Sequence, residues 1–231
     1  MSHSDAPDDG GGGGDLVAEN LACRRGERLI FAGLDCVVPA GGALVLTGAN
    51  GSGKSSLLRV FASLLRPAGG RLLWGAAPVL ADIPAYRARL HYVGHLDAIK
   101  PALTVRETLR FWSGHRGVAA APRLDRALDA ALAAFALAAM ADWPCRWLSA
   151  GQRRRLALAR LIAAPATLWL LDEPTAALDA DGEFRLTAAI ATHRAAGGRV
   201  IAATHQPLDL PGAATVILED FAAAADPLAE F

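Results

Sequence analysis

The run Gly48-Ala49-Asn50-Gly51-Ser52-Gly53-Lys54-Ser55 fits the pattern G-x-x-x-x-G-K-[ST]. It follows a short apolar segment, Ala43 to Thr47, and opens a helical one, which is the context that pattern requires. Gly51 and Gly53 let several backbone N–H groups aim at phosphate oxygens, and a helix N-terminus adds a favourable dipole. Lys54 would bridge β- and γ-phosphates, and the Ser55 hydroxyl would ligate Mg²⁺. The predicted contacts to a nucleoside triphosphate are Gly48, Ala49, Asn50, Gly51, Ser52, Gly53, Lys54, Ser55 and Ser56. Of 23 basic residues only Lys54 and Lys100 are lysines. An arginine-rich chain thus keeps lysine where a compact ammonium suits a phosphate cradle.

Downstream, Leu168 to Leu171 is an apolar run ending in Asp172-Glu173-Pro174. A buried strand here would present two carboxylates at its end. Asp172 is placed to hold Mg²⁺ through water, and Glu173 to accept a proton from an attacking water or to orient it. Taken alone, a strand followed by an acidic turn is common; the order of segments gives it meaning.

Between the two lies Leu148-Ser149-Ala150-Gly151-Gln152. Ser149 offers a hydroxyl and Gly151 an unshielded N–H at a helix start, which makes a second anion site. Arg153-Arg154-Arg155 follow at once. Cations there oppose the helix dipole by roughly a few tenths of a kcal/mol each. An acidic neighbour, a phosphate or a simply solvated face would each account for them.

Elements that position these groups can be read from pattern. Leu16 to Cys23 and Leu34 to Pro39 have strand character, with Gly26 and Ala40-Gly41-Gly42 as turn signals. Lys54 to Leu65 predicts a helix ended by Arg66-Pro67. Thr104-Val105-Arg106-Glu107 is a capping box opening a helix through Trp112. Arg123 to Met140 has helical spacing, and another helix runs from Gly151 to Ala163. Strands are predicted at Thr167 to Leu171 and Arg199 to Thr204, with a helix from about Asp181 to Ala196 between them. Apolar strands alternating with helices predict an α/β fold with a mostly parallel sheet covered on both faces.

Bulk properties bound the rest. At 231 residues and 53% hydrophobic, the chain can bury a substantial core. Its most apolar stretch, Ala130 to Ala141, is too short to cross a bilayer, and the start of the chain has neither the basic nor the apolar segment of a secretion signal. Cys23, Cys36 and Cys145 form no Cys-x-x-Cys pair, which points to reduced thiols in the cytoplasm. A formal net charge of zero gives no general attraction for nucleic acid, and none is expected as a partner.

The ordered set of motifs resembles the ATP-binding cassette ATPase subunits, over roughly Leu16 to Asp220. The resemblance implies a P-loop ATPase fold: a mostly parallel core sheet, an antiparallel β subdomain and an inserted helical subdomain. It divides the chain into a disordered Gly-rich tail at 1–15, one ATPase domain at 16–220 with its insertion at about 97–155, and a C-terminal tail at 221–231. It implies ATP and Mg²⁺, held by Ser55 and Asp172, and catalysis by Glu173, His205 and Lys54. It implies a homodimer on ATP binding, in which Ser149, Gly151 and Gln152 of one copy cap the triphosphate held by the other. Ala177-Leu178-Asp179 matches the loop in which Asp179 would link the two sites. His205 falls where the family keeps a histidine at the γ-phosphate.

Two positions depart from the pattern. Arg25 stands where an aromatic residue commonly stacks on adenine, and its guanidinium plane could stack instead. The glutamine expected after the third strand is missing. Leu96, which cannot ligate a metal, occupies its place with His95 beside it. Either His95 or a water substitutes for that glutamine, or coupling to the partner differs from the family's scheme and His95 is a hydrogen-bonded structural residue.

The segments Gly94-His95-Leu96-Asp97-Ala98-Ile99-Lys100, Ala166-Thr167-Leu168-Trp169 and Thr204-His205-Gln206-Pro207-Leu208 resemble the haem-exporter ATPase subunits of bacterial cytochrome c maturation. That likeness implies an integral membrane permease, docking near His95 to Lys100, and other cytochrome c maturation proteins as partners. It implies a peripheral position on the cytoplasmic face of the inner membrane. The rival readings are an ATPase subunit for another exported substrate, such as a drug or lipid, and a non-transport nucleotide-sensing module.

Overall fold

The computed structural model of the chain describes residues 14–115 and 121–222. Most of the tail expected at 1–15 and of that at 221–231 lies outside these residues. The described chain opens with a hairpin of β1 (Leu16–Arg25) and β2 (Arg28–Val38), joined at Gly26 and Glu27. Leu16 and Ala18 point inward, then Leu21 and Cys23 do. The phase changes at Asn20, which has φ 48°, and the pairing with β2 shifts register there. An extra residue in one strand has that effect, and asparagine tolerates the left-handed region.

Next come β3 (Ala43–Thr47), α1 (Lys54–Phe61), β4 (Gly69–Trp74), the two-residue β5 (Ala77–Pro78), α2 (Ile83–Ala88) and β6 (Leu90–Val93). Three helices follow, α3 (Val105–His115), α4 (Ala121–Ala134) and α5 (Ala150–Ala163). Last are β7 (Leu168–Asp172), α6 (Ala180–Ala195), β8 (Arg199–Ala203) and β9 (Ala214–Ile217).

The strands form two sheets. One is antiparallel in the order β2-β1-β4-β5, and the other is wholly parallel in the order β6-β7-β8-β3-β9. All of β7 and β8 is buried, as an internal parallel strand must be. Alternate residues feed two cores. Leu44, Leu46, Leu168, Leu170 and Ile201 meet Leu57, Leu58 and Phe61 of α1 together with the inward side of the hairpin. On the other face, Trp169, Leu171, Val200 and Ala202 share one core with Leu109, Leu128, Leu132 and Leu156 of the helical segment. The helices at 105–163 are therefore cemented to the sheet by continuous apolar packing. At about 25 cal/mol per Å² of buried apolar surface, that packing is the main stabilising contribution.

Register then fixes where chemistry can occur. Asp172 and Leu46 both pair with Ala203 of the strand between them, so β3, β7 and β8 end at one level. In open α/β sheets, ligands bind beyond the carboxyl ends of the strands.

Several boundaries differ from the expectations. Predicted to reach Leu65, α1 ends at Phe61, because Ser63 turns left-handed at φ 53°. Predicted to reach Met140, α4 ends at Ala134 before Ala136 at φ 54°. The strand predicted from Leu34 begins at Arg28. Among the described residues no helix is long and apolar enough to cross a membrane.

Candidate active site

The loop from Gly48 to Gly53 joins β3 to α1 and wraps toward the helix start. Gly53 has φ 109°, and a Cβ there would lie 2.5 Å from Cγ2 of Ile30 on β2. Only glycine meets both demands, so the hairpin presses directly on the loop. Ala49, Asn50 and Gly51 are exposed, while Lys54 is buried at 7% exposure. The Lys54 ammonium donates to the carbonyl oxygens of Gly48 at 2.6 Å and Ala49 at 3.0 Å. Ser52 Oγ is buried with no hydrogen-bond partner among the described residues. Unpaired buried hydroxyls are costly, and an incoming phosphate oxygen would pair this one. The donor set therefore suits a polyphosphate. Ser56 is half-buried on the first turn of α1.

Asp172 ends β7 at 2% exposure. Ser55 Oγ donates to its Oδ1 at 3.1 Å, and the Tyr92 hydroxyl donates to its Oδ2 at 3.4 Å. One carboxylate and one hydroxyl facing each other at the mouth of the loop form an all-oxygen pair, the donor type that Mg²⁺ takes. Glu173 follows in the left-handed region at φ 47°, its N–H donating to the Ala203 carbonyl at 2.8 Å. Its Oε2 lies 2.8 Å from Nδ1 of His205 and 3.4 Å from the His205 backbone N–H. The loop, Asp172, Glu173 and His205 thus stand at the carboxyl ends of three neighbouring strands.

The Ser149 segment sits apart from them. Ser149 caps α5: its Oγ accepts from the Gln152 N–H at 3.2 Å, and Gln152 Oε1 accepts from the Ser149 N–H at 2.8 Å. Both side chains are engaged in that capping box, and Ser149 is exposed at its tip. A concavity of about 490 Å³ is lined by Ser149, Gly151, Gln152, Arg155, Ala177 and Asp179 among others, and no residue of the phosphate loop lines it. A Cβ on Gly151 would lie 2.9 Å from the Ala177 carbonyl oxygen, so the two turns pack backbone to backbone. Asp179 caps α6 by accepting the Gly182 N–H at 2.9 Å and is ion-paired with Arg155. The Arg155 guanidinium, then that N–H, holds its carboxyl below the usual carboxylate range.

The three arginines separate into different roles, and the wholly solvated face is excluded. Arg153 donates to the Leu148 carbonyl at 2.6 Å, and Arg155 pairs with Asp179 and with Asp181, the latter at 3.0 Å. Arg154 is 3% exposed and donates to the carbonyls of Asp172 at 2.8 Å, Glu173 at 2.7 Å and Gly94 at 2.9 Å, with Asp97 Oδ1 at 3.3 Å. It binds α5 to the end of β7 and to the segment after β6. Below it, Arg160 lies 4.6 Å above the Trp112 ring and donates to the Tyr92 carbonyl at 2.6 Å. Burial, then the Arg154 charge, pushes Arg160 down to about 10.

Arg25 is exposed where β1 enters its turn, and Arg28 faces it across the hairpin. His95 and Leu96 are also exposed, Leu96 at 72%. The side chain of this segment that does reach Asp172 is Tyr92, within β6, which sequence reasoning passed over. Glu219 was missed as well. It follows β9, and its Oε1 accepts the N–H of Ala49. Neither residue belongs to a local motif; strand order alone brings them in.

The sequence profile described as ABC transporter matches residues 31–176. The cytochrome c biogenesis ATP-binding export protein CcmA of Rhodospirillum rubrum is 58% identical over 207 residues, covering 90% of this chain and 87% of its own. The protein of the same name from Paramagnetospirillum magneticum is 56% identical, covering 90% and 95% respectively. The solved structure of an ATP-binding subunit of an ABC transporter superposes with a TM-score of 0.75 at 22% identity, over 82% of this chain and 79% of the other, a likeness of fold. The chain belongs to the ABC transporter family: it is an ATPase subunit of the cytochrome c biogenesis branch.

Proposed function

We propose that two copies of this chain bind two ATP molecules between them, and that their closing and reopening drives haem export, or release of a haem-loaded chaperone, in cytochrome c maturation. The observation that carries this reading is the convergence of Lys54, Ser55, Asp172, Glu173 and His205 at one level of the sheet, while Ser149, which is exposed, and Gly151 line a separate concavity. The loop read as holding phosphates and the turn read as capping them line different parts of the surface, and no residue of the loop lines the concavity beside the turn.

In this reading the loop N–H groups and Lys54 hold the triphosphate. Mg²⁺ would be held by Ser55 and by Asp172 through water, and when bound it supplies neutralisation of charge on the phosphate oxygens. Glu173 accepts the proton of the attacking water, oriented by His205 on its Oε2. The left-handed backbone at Glu173 breaks the strand after Asp172, and its carboxylate meets His205 beyond the end of the next strand. Gln152, Ser149 and Gly151 of the second copy close over the γ-phosphate, and Asp179 lies beside that joint.

The chain would sit on the cytoplasmic face of the inner membrane against a permease. The docking region would be the segment from His95 to Lys100, where exposed Leu96 offers an apolar contact and Arg154 ties Gly94 and Asp97 to the ends of the catalytic strand. Motion at the permease would then reach Glu173 through a single buried side chain. Arg25 is proposed to lie along the adenine, since it starts the hairpin turn whose second strand presses on Gly53.

Deleting the chain in its host tests the assignment. Holo-cytochrome c should fail to form, with haem left on its chaperone. Normal cytochrome c in the deletion strain, with loss of some other export, would support an ATPase for another substrate instead.

A further inference from the structure

The first peptide of the phosphate loop is held from both sides. Lys54 Nζ takes the carbonyls of Gly48 and Ala49, at 2.6 and 3.0 Å. The carboxylate of Glu219 takes the N–H of Ala49 from the opposite direction. A Cβ on Gly48 would lie 2.5 Å from Glu219 Oε2 and 2.8 Å from Ser52 Oγ, so the carboxylate packs against the loop backbone itself.

Glu219 is not a loose surface acid that happens to reach there. It leaves β9, whose Ile217 pairs with Thr47 immediately before the loop. Its neighbour Leu218 is fully buried, and three residues on Ala222 bridges to Phe31 of β2. The Ala49 N–H first, with a small contribution from the Lys54 charge, keeps the Glu219 carboxyl below its usual range, so it is ionised near neutrality. A charge-assisted bond to a backbone N–H is about twice as strong as a neutral one.

We infer that Glu219 is a positioning residue of the nucleotide site, holding the Gly48–Ala49 turn in place once Lys54 has left those carbonyls for a triphosphate. The inference rests on reading Lys54 as a phosphate ligand. In this arrangement the ammonium and the carboxylate share the task. When the ammonium turns to phosphate, the carbonyls of Gly48 and Ala49 lose their donor, and the Glu219 bond is the tether that remains. An acceptor is what the geometry needs there. The negative charge itself works against an incoming polyphosphate.

The test compares Glu219→Ala and Glu219→Gln in the full chain, with Lys54→Ala beside them. ATP affinity is measured by calorimetry, turnover separately, and folding by circular dichroism. Glu219→Ala is expected to raise Kd and KM for ATP about tenfold, or 1.4 kcal/mol, with kcat within about twofold. Glu219→Gln keeps an acceptor oxygen and should restore both constants to within about twofold of the unmodified chain. Unchanged Kd in Glu219→Ala, while Lys54→Ala no longer binds, overturns this inference alone. A Gln variant as weak as the Ala variant overturns it too, because charge and not the acceptor would then matter. Normal binding by Lys54→Ala removes the phosphate-loop reading and the inference with it.

Discussion

Nδ1 of His205 lies 2.8 Å from Oε2 of Glu173, and the His205 backbone N–H approaches the same oxygen at 3.4 Å. The carboxylate proposed to handle the water is therefore held by a neighbour on the next strand. That neighbour is there because Asp172 and Ala203 are in register, which carries the residues after both strands to the same mouth. Position along a sheet makes the pair, and nothing between residues 173 and 205 in sequence announces it.

Gly151 is a tight joint between the Ser149 turn and the loop holding Asp179, with 2.9 Å between its missing Cβ and the Ala177 oxygen. Gly151→Ala should push the two turns apart by a few tenths of an ångström. Misplacing a transition-state contact by that much reduces turnover steeply. Turnover should fall by about tenfold or more, while ATP affinity of the separate chains stays within about twofold. Steady-state kinetics with calorimetry would separate the two, and normal turnover would contradict the role given to this turn.

Arg154 supplies donors to the carbonyls of Asp172, Glu173 and Gly94 from a site 3% exposed. Arg154→Leu takes the guanidinium donors from these carbonyls, of which that of Asp172 is buried while that of Glu173 keeps the Ala176 N–H. A buried acceptor left unpaired costs about 1–3 kcal/mol. Some would relax to water, so a net loss of about 3 kcal/mol in urea unfolding is expected. Arg154→Lys should recover less than half of it, because an ammonium cannot fork to several carbonyls. A loss below about 1 kcal/mol, the usual range of a surface substitution, would show that the bonds do not matter.

His193 stacks on Trp169 at 3.9 Å between ring centroids, and burial pushes its pKa down to about 4. Its ordinary value is 6.5. Between those two values the unfolded chain takes up a proton that the folded chain refuses, so this residue makes stability fall as pH falls from 6.5 and level off below about 4. Melting temperatures measured from pH 7 to pH 4 should show that decline, and His193→Phe should flatten it. An equal slope in both proteins would place the titration elsewhere.

The sequence disclosed most of what is local. β3, β7 and β8 are strands of five residues with four apolar residues each, and the Thr104–Glu107 box is built as its residues suggest. The phosphate loop, Asp172 and Glu173 stand together as their motifs imply. Helix ends were harder to read, because Ser63 and Ala136 adopt positive φ without the glycine that usually signals it. β6 and β9 are four-residue strands whose pairing comes from distant partners, so no strong run marks them. Tyr92, Glu219 and the burial of Arg154 are products of strand order. An arginine in a row of three reads as solvated until the fold shows which one points inward.

Glu173→Gln gives the most direct test of the account. With the proposed base gone but the pocket intact, this variant should bind ATP and, at saturating ATP with Mg²⁺, double in mass by sedimentation or light scattering. Adding Lys54→Ala should prevent the doubling. A Glu173→Gln chain that binds ATP yet stays a monomer under those conditions would contradict the shared two-copy site.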